Sequence, residues 1–198
     1  LGDVYKRQIS DSSIDATSSG SNAIFSTDSA SVLANNVNIT TSAANSRGLD
    51  ATYGGSIIAN AMTISTKGDH SASLATDRGG GSVSVTDSTL NTAGSGSPLL
   101  YSTGDIEVSG VTGTASGSQI AGMEGLNTIL INNSTLESTN TGITGSDPVA
   151  NGVIIYQSTS GDAESSTGQH ATFQAKDSTL KSAITSGCLL YTSPSPRD

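Results

Sequence analysis

The chain has 198 residues, 17 of them acidic and 8 Lys or Arg, with a formal net charge of −9 and no tryptophan. A surface so poor in cations lacks the phosphate-neutralising contacts on which nucleic-acid affinity depends, and no apolar run approaches the roughly 20 residues of a membrane-spanning helix. The abundance of Ser, Thr, Gly and Asn is also found in disordered chains, but here Val, Ile and Leu recur in register, which disorder does not require.

The first octet, Leu1–Gln8 (LGDVYKRQ), looks like a translated sequencing adapter of the transposase type, in which GAT GTG TAT AAG AGA CAG encodes DVYKRQ. Cys188–Asp198 (CLLYTSPSPRD) resembles the complementary adapter. Segments 1–8 and 188–198 are therefore set apart from a native part spanning 9–187, as an expression scar would be. The native part keeps 5 basic and 15 acidic residues, a net charge of −10, and no cysteine, since Cys188 is the only one. It opens in mid-repeat at Ile9 and starts a further coil before Gly187, as an internal fragment of a longer protein would.

An eleven-position block then recurs: SVLANNVNITT from Ser31, SIIANAMTIST from Ser56, SVSVTDSTLNT from Ser82, DIEVSGVTGTA from Asp105, TILINNSTLES from Thr128 and TFQAKDSTLKS from Thr172. The starts lie 25, 26, 23, 23 and 44 residues apart, and Ile9–Ala16 matches the block from its fourth position. A period in the twenties without helical patterning marks a solenoid, whose units bury their apolar faces only against one another.

Position two (Val32, Ile57, Val83, Ile106, Ile129, Phe173) and position four (Ala34, Ala59, Val85, Val108, Ile131, Ala175) are apolar at strand periodicity. Position six holds Asn36, Ala61, Asp87, Gly110, Asn133 and Asp177, mostly residues that tolerate left-handed backbone, so a corner is predicted there. Position nine is apolar again apart from Gly113, which predicts a second strand. A third short strand is predicted at the apolar patch ahead of each block: Ile24-Phe25, Leu49, Leu74-Ala75, Leu99–Tyr101, Ile120-Ala121 and Val153–Tyr156. The fold class is thus all-β, a single-stranded right-handed parallel β-helix of roughly six to seven coils of about 23–26 residues, three short strands per coil. The long last spacing leaves a lateral loop over about 140–171.

The stretches Gly94–Leu136 and Asn151–Phe173 are similar to segments of secreted or surface-attached β-helix proteins of bacterial adhesin or autotransporter-passenger type. That resemblance implies a secreted or cell-surface, non-enzymatic protein with carbohydrate binding as the associated role and no cofactor. Host or environmental glycans or cell surfaces would be its partners, and further β-helix coils of the parent chain its neighbours.

Tyr53, Tyr101 and Tyr156 fall near one point of their coils, just after the third strand, and are the candidate ligand-binding residues. An aromatic face packs on the C–H surface of a sugar while the hydroxyl stays wet; the alternative is a stacking ladder. In the lateral loop Asp147, Asp162 and Glu164 are oxygen ligands that calcium could use, but their spacing matches no calcium loop and no metal site is assigned. The outward positions eight and ten, from Asn38-x-Thr40 to Thr179-x-Lys181, resemble an ice-binding face, although Glu137 and Lys181 interrupt it and Thr suits any exposed strand.

Parallel β-helices also scaffold polysaccharide lyases and hydrolases, whose chemistry needs convergent carboxylates. Here Asp11, Asp87 and Asp177 fall at corners, Arg47 and Arg78 stand in loops away from any carboxylate pair, and His70 and His170 are lone loop residues. No catalytic residue is assigned, and the enzyme scaffold remains the alternative reading.

Overall fold

A chain of L-residues turns a sharp corner within one residue by visiting the left-handed conformation, which only a few residue types accept readily. The computed structural model describes residues 6–143, 152–156, 170–183 and 190–192, and in it every sixth position of the block does this. Asn36, Ala61, Asp87, Asn133 and Asp177 have φ between 48° and 54°, Gly110 has 67°, and Asp11, one coil earlier, has 51°.

The corner divides two strand-bearing faces. With strands labelled in chain order, the first face carries β1 (Lys6–Ala16), β3 (Ser31–Thr41), β5 (Gly55–Asn60), β8 (Gly81–Thr86), β11 (Asp105–Ser109), β14 (Thr128–Asn132) and β17 (Thr172–Lys176). Both β1 and β3 continue round the corner into the second face, formed elsewhere by β6 (Thr63–Thr66), β9 (Thr89–Thr92), β12 (Thr112–Ala115), β15 (Thr135–Ser138) and β18 (Thr179–Ser182). The third face is a separate seven-stranded sheet of β2 (Ile24–Ser26), β4 (Leu49–Ala51), β7 (Leu74–Thr76), β10 (Leu100–Ser102), β13 (Ala121–Glu124), β16 (Val153–Tyr156) and β19 (Leu190–Thr192).

Every pairing is parallel, and the register Ser31–Ser56–Ser82–Asp105–Thr128–Thr172 is that of the predicted block starts. The result is a parallel β-solenoid of about five turns, β3 through β16, each with a neighbour above and below, between one outer level at each end. The expected six to seven coils count those outer levels as well. Lys6–Gln8, set apart as adapter-like, pair with Ser31–Leu33 as part of β1, and Leu190–Thr192 pair with Val153–Ile155. A main-chain ladder accepts any residue with a free N–H and C=O, whatever its side chain.

Positions two and four point inward, with Val32, Ile57, Val83, Ile106, Ile129 and Ile131 all buried. Beyond the corner the phase changes, because the left-handed residue adds one step to the alternation, and positions seven, nine and eleven turn inward instead. Val37, Met62 and Val111 at position seven are buried core residues that the strand pattern did not single out. Where position seven is serine, its Oγ accepts the main-chain N–H of the preceding level: Met62 N to Ser88 at 2.9 Å and Val111 N to Ser134 at 3.0 Å. The gap at Gly113 is filled by Leu99 and Leu136, whose methyl carbons would lie 2.9 and 3.2 Å from a Cβ placed there. Leu49, Leu74, Leu100, Ala121 and Val153 complete the column from the third face.

Candidate functional site

Third-face strands are only three or four residues long among the inner turns, so the turns at their two ends stand close together above them. Outward residues at the floor of this trough become buried: Asp50 and Ala75 are 2% and 0% exposed. The turn entering the trough contains a second left-handed column, Gly20, Asn45, His70 and Gly96. Asn and His are among the non-glycine types enriched in that conformation. Their N–H groups donate to the next level, Gly20 N to Ala44 O at 3.0 Å, Asn45 N to Asp69 O at 2.9 Å and His70 N to Ser95 O at 3.0 Å.

A serine ladder follows at once. Ser71 Oγ accepts the N–H of Ser46 and Ser97 Oγ that of Ser71, both at 2.9 Å, while Thr41 and Thr66 donate from inside the column to Ser46 O and Ser71 O at 2.6 and 2.5 Å. This bonding fixes the wall that carries Arg47, Ala72, Pro98 and Gln119. On the opposite side the exit turns Thr27–Ala30 and Thr52–Gly55 each have two successive left-handed residues, closed by Ala30 N to Thr27 O at 3.0 Å and Gly55 N to Thr52 O at 2.8 Å.

Arg47 leads into β4 and Asp77 leaves β7, so their ion pair, Nη2 to Oδ2 at 2.8 Å, links the two walls. Close to this pair lies Asp50. Its Oδ2 accepts a hydrogen bond from Asn22 Nδ2 at 2.6 Å, and its buried Oδ1 has no hydrogen-bond partner among the described residues. Burial pushes the Asp50 carboxyl up to about 7, against the pull of Arg47 and with added repulsion from Asp77.

Further along, two tyrosines converge on one carboxylate. Tyr101 OH donates to Glu124 Oε2 at 2.8 Å and Tyr156 OH reaches the same oxygen at 3.3 Å, the three residues coming from the consecutive strands β10, β13 and β16. Glu124 is 2% exposed. Burial, and then the charge of Glu124, pushes the Tyr101 phenol above its ordinary value. Beside these rings lies a cavity of about 280 Å³, lined among others by Asn45, Arg47, His70, Gln119, Tyr101 and Tyr156. Its floor is vacant next to Tyr101, since a Cβ added at Gly122 would meet only Tyr101 Cδ2, at 3.8 Å.

Of the three candidate tyrosines the structure therefore brings Tyr101 and Tyr156 together and leaves Tyr53 out. Tyr53 occupies an exit turn at φ 47°, 56% exposed and against Gly79, because it lies beyond the end of β4 whereas Tyr101 lies within β10. The three do not form one row. Two further expectations are corrected: Arg47 is not remote from carboxylates, having Asp77 and Asp50 beside it, and His70 lines the cavity. The only sequence signal for Asp50 was an acidic residue in a short apolar strand; for Glu124 there was none.

Asp11, Asp87 and Asp177 are corner residues as expected. Asp147, Asp162 and Glu164 lie outside the described residues, and among the described residues no three His, Cys, Asp or Glu side chains gather as metal ligands. Thr63, Thr89, Thr112, Thr135 and Thr179 do form an exposed column on the second face, with Glu137 beside Lys181 at position ten. Comparisons of the chain with protein-family models, curated proteins and solved structures found no match.

Proposed function

We propose that this chain is part of an extracellular bacterial adhesin-like protein that binds carbohydrate in the trough of its third face without cleaving it. The observation that carries this reading is the pair of tyrosines held by one buried carboxylate beside an open, polar-walled cavity. Rings anchored through their hydroxyls lose little freedom when a sugar stacks on them. The cavity runs across several levels, which suits a chain-like glycan lying along the solenoid axis. Against cleavage, Asp50 and Glu124 stand three levels apart, about 14 Å at the ordinary strand spacing, beyond the roughly 5–9.5 Å of a glycosidase carboxylate pair.

The test is a glycan array followed by calorimetry on the glycans that bind. Gly122→Leu should fill the floor and weaken binding at least tenfold while the thermal melt is unchanged; retained affinity in that variant would remove the trough as the site. A second reading, a polysaccharide-cleaving scaffold, is favoured by the placement of Asp50 and Asp77 in adjacent levels with Arg47 between the walls. It requires new chain ends to appear on incubation with a bound polysaccharide and to disappear with Asp77→Asn.

A further inference from the structure

We infer that the glycan the trough accepts is an acidic one, whose carboxylate is received by Arg47 and His70 while a neighbouring sugar ring lies on Tyr101. This inference rests on the carbohydrate reading above and deepens it. In a chain with 17 acidic and 8 basic residues, the cavity is lined, among the described residues, by Arg47 and His70 and by no Asp or Glu. The two come from adjacent levels, about 4.8 Å apart along the axis, with the small Ala72 in the same lining.

Among the described residues Arg47 is engaged through Nη2, on Asp77, and this contact anchors the guanidinium so that its other N–H groups can meet a planar carboxylate. The imidazole of His70 is exposed and has no hydrogen-bond partner among the described residues. Tyr101, on β10, follows one level after His70, with the vacant floor at Gly122 beside its ring. Glu124 does not oppose an anion there. It is buried, accepts hydrogen bonds from both phenols, and sits at the far end of β13, three levels from the strand that Arg47 precedes. The trough thus has one end that offers guanidinium and imidazole N–H donors and another that offers an aromatic face, matched to a polymer in which one residue bears a carboxylate and the next offers a ring face. Because the protein is strongly anionic as a whole, general attraction cannot retain a polyanion.

The experiment uses the full chain on an array of neutral, uronate-bearing and sulfated oligosaccharides, with the methyl ester of each uronate included. The expected result is binding to uronates, lost on esterification, and at least tenfold weaker with Arg47→Gln and with His70→Asn. His70→Asn, which places at this exposed left-handed turn the residue type that Asn45 already holds one level below, keeps the backbone and keeps the test meaningful where Arg47→Gln disturbs Asp77. Equal binding of acid and ester, a preference for neutral glycans, or binding confined to sulfated ones overturns the carboxylate assignment and leaves carbohydrate binding standing. Absence of any bound glycan with folded protein overturns both.

Discussion

Tyr101 and Glu124 face each other across adjacent coils, the phenol donating to Oε2 at 2.8 Å, and Tyr156 closes on that oxygen from the next coil at 3.3 Å. Three levels are thereby tied together outside the main-chain ladder. Tyr101→Phe deletes a bond to a charged, buried acceptor, a class worth about 1.5–3 kcal/mol. Urea melts should show a loss in that range. The phenol itself should stay protonated past the ordinary tyrosine value of about 10, because burial disfavours the phenolate and ionising it would also place a second charge beside Glu124. The ultraviolet difference between wild type and Tyr101→Phe should therefore show no tyrosinate signal at the ordinary tyrosine value of about 10.

Asp50 makes the fold sensitive to pH in the direction opposite to an ordinary salt-bridged acid. Its folded value is raised from 3.8 to about 7, so between these values the folded state holds a proton that the unfolded state has released. Stability is then full below about 4, falls as pH rises through that window, and levels off above about 7, by up to roughly 4 kcal/mol for a three-unit shift. Asp50→Asn retains an acceptor for Asn22 and cannot ionise. It should flatten the dependence and be the more stable protein at pH 8. A wild type whose melting temperature rises between pH 4 and 7 contradicts the burial argument.

The first corner stores strain at one position. Ala61 holds φ 54° where its neighbours up and down the column are Asn36 and Asp87, types that tolerate the conformation better. Ala61→Gly should gain about 1 kcal/mol by relieving the left-handed penalty. Gly110→Ala should do the reverse, since its φ is 67° and the new Cβ would lie 2.5 Å from Asp87 Oδ1. Chemical denaturation of the pair gives the sign of each.

Ile131 is fully buried at position four of β14, between Val108 and Ala175 of the adjoining coils. Ile131→Asp places an unpaired carboxylate in the apolar column, a penalty of several kcal/mol. Far-ultraviolet circular dichroism should show lost strand signal and a lowered melt, whereas an unchanged spectrum and melt contradict the inward assignment.

The sequence by itself determined the strands, the corner and the vertical register, because each is written into a local pattern that repeats. Position two, position four and the left-handed position six recur from Ser31 to Thr172, and parallel stacking of like on like leaves no other register that keeps every Val, Ile and Leu inside. Position seven escaped that pattern because its inward turn follows from the extra step of the left-handed residue, which alternation alone does not reveal.

The trough was decided only by the tertiary structure. Arg47 meets Asp77, and Glu124 receives Tyr101, between residues that hold no common register position, while Tyr156 stacks on Glu124 as its register partner. Their meeting depends on how far each turn leans over a third-face strand of three or four residues, and on which side of the strand each side chain leaves the backbone. The repeat dictates which residues stack along the axis. Side-chain contacts between positions out of register, as Arg47 with Asp77 and Tyr101 with Glu124, arise where the repeat is irregular, and their geometry comes from the turns of several coils acting together.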